Sequence, residues 1–414
     1  MSGRLVLLLC LLLPGLLSAQ LYTQEDRSTE PPPNDRPVVN EQGNIRVTTA
    51  VASAEETKEI FGKPLYRRNI QPVWVQIENL GDEPLYLLPR GLDEAYFTPI
   101  ETAYRLQDRL PLLDLNPDIN REVYSRRMGL VIEAGSIRSG YIFSRVDQGT
   151  KSFNVDVIGR NERFMMPFFV PVPGLKVDHY EVEWESLYPA AEMRDVSLSE
   201  LRDALAAMPC CVTDKNGKTN GDPLNIAVVG KLRDTYYSFM RAGWDETETI
   251  YSGSMWNTMK SALSGSEYRY SPVSALYVFG RAQDVAFQKA RTSIHERNHL
   301  RLWLTPLRYE GEPVWIGQIS RDIGVRFTRK TITTHKIDPD VDETREYLVE
   351  DLAYAQSLGG FGYVSGVGPA DFDNPRGNLT GDPYFTDGRR VVLFLSDEPV
   401  DIGELDLVDF AAAE

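Results

Sequence analysis

Apolar and polar residues alternate with period two across the first part of the chain. In residues 72–79 (PVWVQIEN), Val73, Val75 and Ile77 share one face, and Trp74, Gln76 and Glu78 share the other. This is the signature of a half-buried strand. Asn79-Leu80-Gly81-Asp82 supplies turn chemistry, and residues 84–88 continue as a second strand. Residues 137–145 and 151–158 alternate in the same way around Val146-Asp-Gln-Gly149, which predicts a hairpin with glycine at its turn. Residues 118–128 read as a short helix ended by Gly129. Short strands at these intervals predict a β-sandwich over residues 45–160, immunoglobulin-like, with a helical insertion and a structural or adhesive role.

The bridge MPFFVPVPGLKVDHY follows, so residues 161–196 are expected to be a linker, with Phe168, Phe169 and Val170 packing on the neighbouring region. From Ser197 the pattern changes. Ser197 and Glu200 have capping-box spacing and open a helix that stops at Pro209. A buried strand at 224–230 leads into a helix ending at Ala242-Gly243-Trp244, and a second helix is predicted at 254–263. Strands at 275–280, 298–305, 313–321 and 324–331 precede a last helix over 340–358. The order β-α-α-β-β-β-β-α predicts an α+β unit over 197–358 with a largely antiparallel sheet. Residues 359–414 read as a glycine-rich segment, a last strand at 389–395 and a solvated acidic tail.

The N-terminus differs from everything after it. Arg4, an apolar run over 5–17 and small Ser18-Ala19 have the layout of a secretory signal peptide over residues 1–19, too short to span a membrane. Residues 20–44, with Pro31-Pro32-Pro33, read as an extended tether. The expected location is therefore outside the cytoplasm, periplasmic or at the cell envelope, with no transmembrane segment in the mature chain. A net charge of −16 over 414 residues argues against a nucleic-acid partner. Adjacent Cys210 and Cys211 could bridge each other, stay reduced, or pair with another chain.

Six segments then appear in a fixed order: GDPLNIAVVG, AGW, SPVSALYVFGRAQDVAFQKA, HERNHLRLWLTP, VWIGQISRDIGVRF and THKIDPDVDETREYLVEDL. Over residues 197–357 the chain resembles the C-terminal domain of LssY, a family of bacterial envelope proteins. The resemblance implies an envelope module without a settled activity. Some relatives fuse this domain to membrane domains of the DedA and phosphatidic-acid-phosphatase types. The phosphatase motifs PSGH and SRxxxxxH belong to the fused domain; SRDIGVRF begins like the second but lacks its histidine. Gly230 is followed by Lys-Leu-Arg, so no dinucleotide fingerprint is present.

The chemistry on offer is narrow. Alternation along 298–305 places His299, Arg301 and Trp303 opposite Leu300, Leu302 and Leu304. A planar cationic fork, a titratable imidazole and an indole wall suit an anion. Arg281 and Asp284 flank a loop and either pair with each other or contact a ligand. If their strands pair, His299 and His335 converge near Asp322 and Asp338, a set fit for a divalent metal or for acid–base work on an ester. The competing structural readings make Asp340 an N-cap and Asp338 a turn former. The expectation is a binding or accessory module for a partner or an anionic, lipid-derived ligand. No cofactor is expected, beyond a possible divalent metal. The alternative is an envelope hydrolase of a lipid phosphate or related ester that uses His299, His335 and an aspartate.

Overall fold

The computed structural model describes residues 32–107, 117–147, 149–172, 182, 187–246, 275–290, 297–326 and 334–412. The expected leader, residues 20–31 of the expected tether, the helix expected at 254–263, His179 and His295 lie outside them. The fold is α+β and rich in sheet. No helix among the described residues is long and apolar enough to cross a membrane.

Strands β1 (Val38–Gln42), β2 (Ile45–Val51), β3 (Gln71–Asn79) and β6 (Ile137–Ser144) form one sheet in the order β1-β2-β3-β6. Strands β4 (Leu85–Leu88), β5 (Val131–Ile132), β7 (Gly149–Ile158) and β8 (Arg163–Val172) form a second, β5-β4-β7-β8. Alternate residues of both sheets meet in one apolar cluster: Val47, Val73, Val75 and Ile77 from the first, Leu87, Val155, Val157, Met166 and Phe168 from the second. The opposite face of the first sheet is buried as well. Trp74, Tyr141 and Phe143 pack under helices α1 (Ala54–Phe61), α2 (Pro99–Leu106) and α3 (Pro117–Ser125). That cover is why Trp74, on the face with Gln76 and Glu78, is itself buried.

Three expectations change here. β6 and β7 are not a hairpin: β6 pairs with β3, and β7 pairs with β4 and β8, so the chain crosses between sheets at 145–148. The segment expected to be a linker contains β8, with Phe164, Met166, Phe168 and Val170 turned into the core. The strand order also departs from the immunoglobulin one, where the second strand lies between the first and fifth. Here β2 lies between β1 and β3.

Helix α4 (Leu198–Ala207) opens on the expected capping box: Ser197 Oγ accepts from Glu200 N, and the Glu200 carboxylate accepts from Ser197 N at 2.8 Å. β9 (Arg194–Val196) lies just ahead of it, and after it come β10 (Cys211–Thr213), β11 (Asn220–Pro223), β12 (Ile226–Val229), α5 (Leu232–Arg241) and β13 (Asp245–Glu246). Next are β14 (Tyr277–Val278), β15 (Arg281–Ala282), β16 (Val285–Ala290), β17 (Arg297–Tyr309), β18 (Glu312–Arg326), β19 (Thr334–Ile337) and α6 (Val341–Tyr354). The chain closes with β20 (Leu358–Ser365), β21 (Arg376–Gly377), β22 (Pro383–Tyr384), β23 (Arg389–Leu395) and β24 (Asp406–Leu407). The main sheet runs β13-β16-β17-β18-β12-β23-β20-β24, with β19 on β18 and β9 on β17. It is largely antiparallel, but β12 and β23 at its centre are parallel. One face packs on α5 and α6 through Leu300, Leu302, Ile319 and Leu393. The other packs on α4 through Trp303, Ile316, Ala227 and Val392.

The segment beyond residue 358 belongs to this sheet. β23 lies between β12 and β20, and its residues Val391, Val392 and Leu393 are buried. Glycine in β20 has a packing role, because a Cβ on Gly362 would stand 2.4 Å from Val408 O and 2.8 Å from the Phe410 ring. The acidic tail thus packs back on the sheet: β24 pairs with β20, and Phe410 is buried. Residues 312–326 form one strand where two were expected. Cys210 and Cys211 are bonded to each other. The two sheet systems meet where Phe169 stands edge-on to Tyr236, with centroids 6.4 Å apart, and where Asn154 Nδ2 reaches Tyr237 OH at 3.4 Å.

Candidate functional site

The α4-facing side of the main sheet changes character along its strands. Cross-strand pairs step from Trp303–Ile316 to Arg301–Gln318 and then to His299–Ser320, with Gln288 beside His299 on β16. The first pair is core. The next two are polar, with Arg301, Gln318 and Ser320 buried and His299 partly so, an arrangement that folding tolerates only where hydrogen bonds or ligands compensate.

The geometry of this polar end is specific. His299 Nε2 lies 2.8 Å from Asp322 Oδ2, with both side chains largely shielded. Arg301 Nη1 donates to Gln318 Oε1 at 2.9 Å, and Arg297 Nη1 donates to Gln288 Oε1 at 2.7 Å. Asp222 on β11 accepts from Asn378 Nδ2 at 3.1 Å. Burial pushes the Asp222 carboxyl above its usual range; Arg301 opposes this, while Asp322 and Asp382 add to it. Burial pulls the His299 imidazole below its ordinary value against the Asp322 charge, and Arg301 and Arg297 pull it the same way. A neutral ring facing a carboxylate carries its proton on Nε2, because an ionised carboxylate only accepts. That leaves His299 Nδ1 as a buried acceptor, and it takes no hydrogen bond among the described residues. Gln318 Nε2 is a buried donor in the same condition.

The family model for the LssY C-terminus matches residues 203–389. This segment is an LssY C-terminal domain. The match runs through β20 and reaches the first residue of β23, well past the boundary at 358 expected from the sequence. No curated protein matches the chain.

Within the LssY C-terminal domain the candidate residues separate into distinct roles. His299 and Asp322 come together, and Arg301 lies on the same buried face. Trp303 does not wall a ligand site: it is fully buried under α4, with its indole N–H directed at Arg281 O at 3.4 Å. Arg281 and Asp284 form a two-pronged pair, with both contacts at 2.8 Å. They also fix the fold, since Asp284 accepts from Leu304 N at 2.7 Å and Arg281 donates to Tyr188 OH and Leu304 O. Asp338 Oδ1 accepts from Asp340 N in a turn, and Asp340 caps α6 by accepting from Asp342 N and Glu343 N. β19 pairs with β18 and sets His335 opposite Val325, but the His335 side chain lies outside the described structure. No group of three His, Cys, Asp or Glu among the described residues is placed to hold a metal ion.

Sequence reasoning missed Asp222, Gln318, Asn378 and Asp382. The Asn378 Oδ1 accepts from Thr380 N and Asp382 N in a buried turn. Asp222 lies inside the first shared segment, GDPLNIAVVG, and that was the one available signal.

Proposed function

We propose that this is an exported cell-envelope protein whose LssY C-terminal domain is a binding or accessory module for a small polar or anionic ligand. The single observation behind this reading is the pair of buried unpartnered groups, His299 Nδ1 and Gln318 Nε2, on one face beside Arg301. Leaving such groups unsatisfied costs roughly 1–3 kcal/mol each, and a ligand that accepts from one and donates to the other recovers it. The leader over residues 1–19 accounts for delivery to the envelope. The N-terminal sandwich would present the module or hold it against a partner.

A second reading is favoured by one feature. His299 donating to Asp322 with Nδ1 open is the pose of a general base or of an oriented metal ligand. It would serve an envelope hydrolase acting on a lipid phosphate or related ester. The deciding experiment combines native mass spectrometry, elemental analysis and ester-hydrolysis assays on the purified full chain. Under the binding reading, a co-purified ligand is lost in Gln318→Met and in His299→Phe while circular dichroism stays unchanged. Stoichiometric zinc or manganese, or hydrolysis of p-nitrophenyl phosphate that His299→Ala abolishes, would replace it with the second reading.

A further inference from the structure

The N-terminal sandwich contains a cavity that the reading above does not use. β6 is the edge strand of its sheet, and two separate segments occupy its outer edge. Phe97 N donates to Phe143 O at 2.7 Å; two residues back along β6, Met128 N donates to Tyr141 O and Tyr141 N to Arg126 O. The second crossing needs Gly140, since a Cβ there would stand 2.6 Å from the Arg127 backbone. Against this edge lies a cavity of about 520 Å³, inside the roughly 300–1,000 Å³ common for small-ligand sites.

Its walls are apolar and largely aromatic, including Tyr96, Phe97, Tyr124, Met128, Leu130 and Phe143. Two guanidinium groups join them, and among the described residues no carboxylate lines the cavity, although the chain carries a net charge of −16. Arg127 is committed: it lies 3.7 Å over the Tyr124 ring and donates to Tyr124 O at 2.8 Å. The Arg138 side chain, on a half-buried residue of β6, makes no hydrogen bond or ion pair among the described residues.

We propose that this cavity binds a small organic anion with an apolar body, its head group paired with Arg138. The aromatic walls take the body out of water, which is the favourable term for any apolar ligand. The guanidinium selects the head. It offers a planar fork to a carboxylate or phosphate and repels a cation. The shared chemistry admits a fatty-acyl carboxylate or an aromatic carboxylate. The inference stands independently of the LssY C-terminal domain.

The test is calorimetric titration of the full chain with octanoate, 2-naphthoate and, as a control of opposite charge, octyltrimethylammonium. The expected result is saturable one-site binding of at least one anion, about 10-fold or more tighter than the cation. Octanoate alone identifies an acyl ligand, and naphthoate alone an aromatic one. Arg138→Gln should weaken the anion by about 10-fold or more, as loss of a hydrogen bond to a charged group does. Leu130→Trp, at a partly exposed wall position, should block binding by filling the cavity while the thermal unfolding curve stays in place. No binding of either anion, equal binding of the cation, or anion binding that survives both substitutions overturns the proposal.

Discussion

The two sheet systems bury their inner faces by different rules. In the sandwich an apolar cluster runs from Ile45 and Val47 through Phe168 and Val172, and the same faces also bury Thr49, Gln71 and Lys151, of which Gln71 Nε2 and Lys151 Nζ donate to the Asp147 and Arg145 carbonyls. In the LssY C-terminal domain the α5/α6 side follows that rule, but the α4 side passes from Trp303 and Ile316 to Arg301, Gln318 and His299 within four residues of one strand. Apolar packing and hydrogen-bonded polar side chains account for most of the first and for half of the second. The polar half adds desolvation cost without a matching gain in stability, so the chemistry of the domain is to be sought there.

The comparison can be broken at its strongest point first. Phe168→Ala empties a fully enclosed site in the sandwich and should cost roughly 3–5 kcal/mol in urea unfolding. Because the two regions have separate cores, the loss should fall on one unfolding transition if two are resolved. Gln318→Leu removes the acceptor of Arg301 Nη1 and should cost roughly 1–3 kcal/mol. The double change Arg301→Met with Gln318→Leu should then cost less than the single one, since replacing a buried polar pair by apolar volume is often neutral. A double variant worse than the single would mean that the polar row is structural.

The acid response sharpens the same contrast. The folded His299 titrates below its ordinary 6.5, so on acidification through that value the unfolded chain takes up a proton that the folded one refuses. Stability should therefore fall as pH drops below about 6.5, by at most ~1.4 kcal/mol per pH unit, and His299→Gln should remove that slope. Asp340→Ala should have the smallest effect, about 1 kcal/mol from loss of the α6 cap, read in urea unfolding.

Local signals were legible in the sequence. The capping box at Ser197, the leucine face of β17, the Arg281–Asp284 pair and the partnership of His299 with Asp322 all follow from spacings of a few residues or from strand alternation. What escaped was non-local or carried misleading composition. Two alternating segments joined by a short link look the same whether they pair or face each other, so β6 and β7 were read as a hairpin. Pro167 and Pro171 gave β8 the look of a linker. Proline is tolerated there because β8 is an edge strand and needs no N–H on its open side. Asp222 and Asn378 are 156 residues apart and meet only in the folded chain.

The position of β23 between β12 and β20 has a consequence for when the domain can form. A ribosome releases the chain from its N-terminal end, so β12 and the long β17–β18 hairpin emerge well before residues 389–395. Until that segment arrives, β12 and β20 each present an unpaired edge, open to pairing with another chain. The LssY C-terminal domain therefore completes its sheet late in synthesis, and a product truncated before β23 should be a substrate for chaperones and proteases.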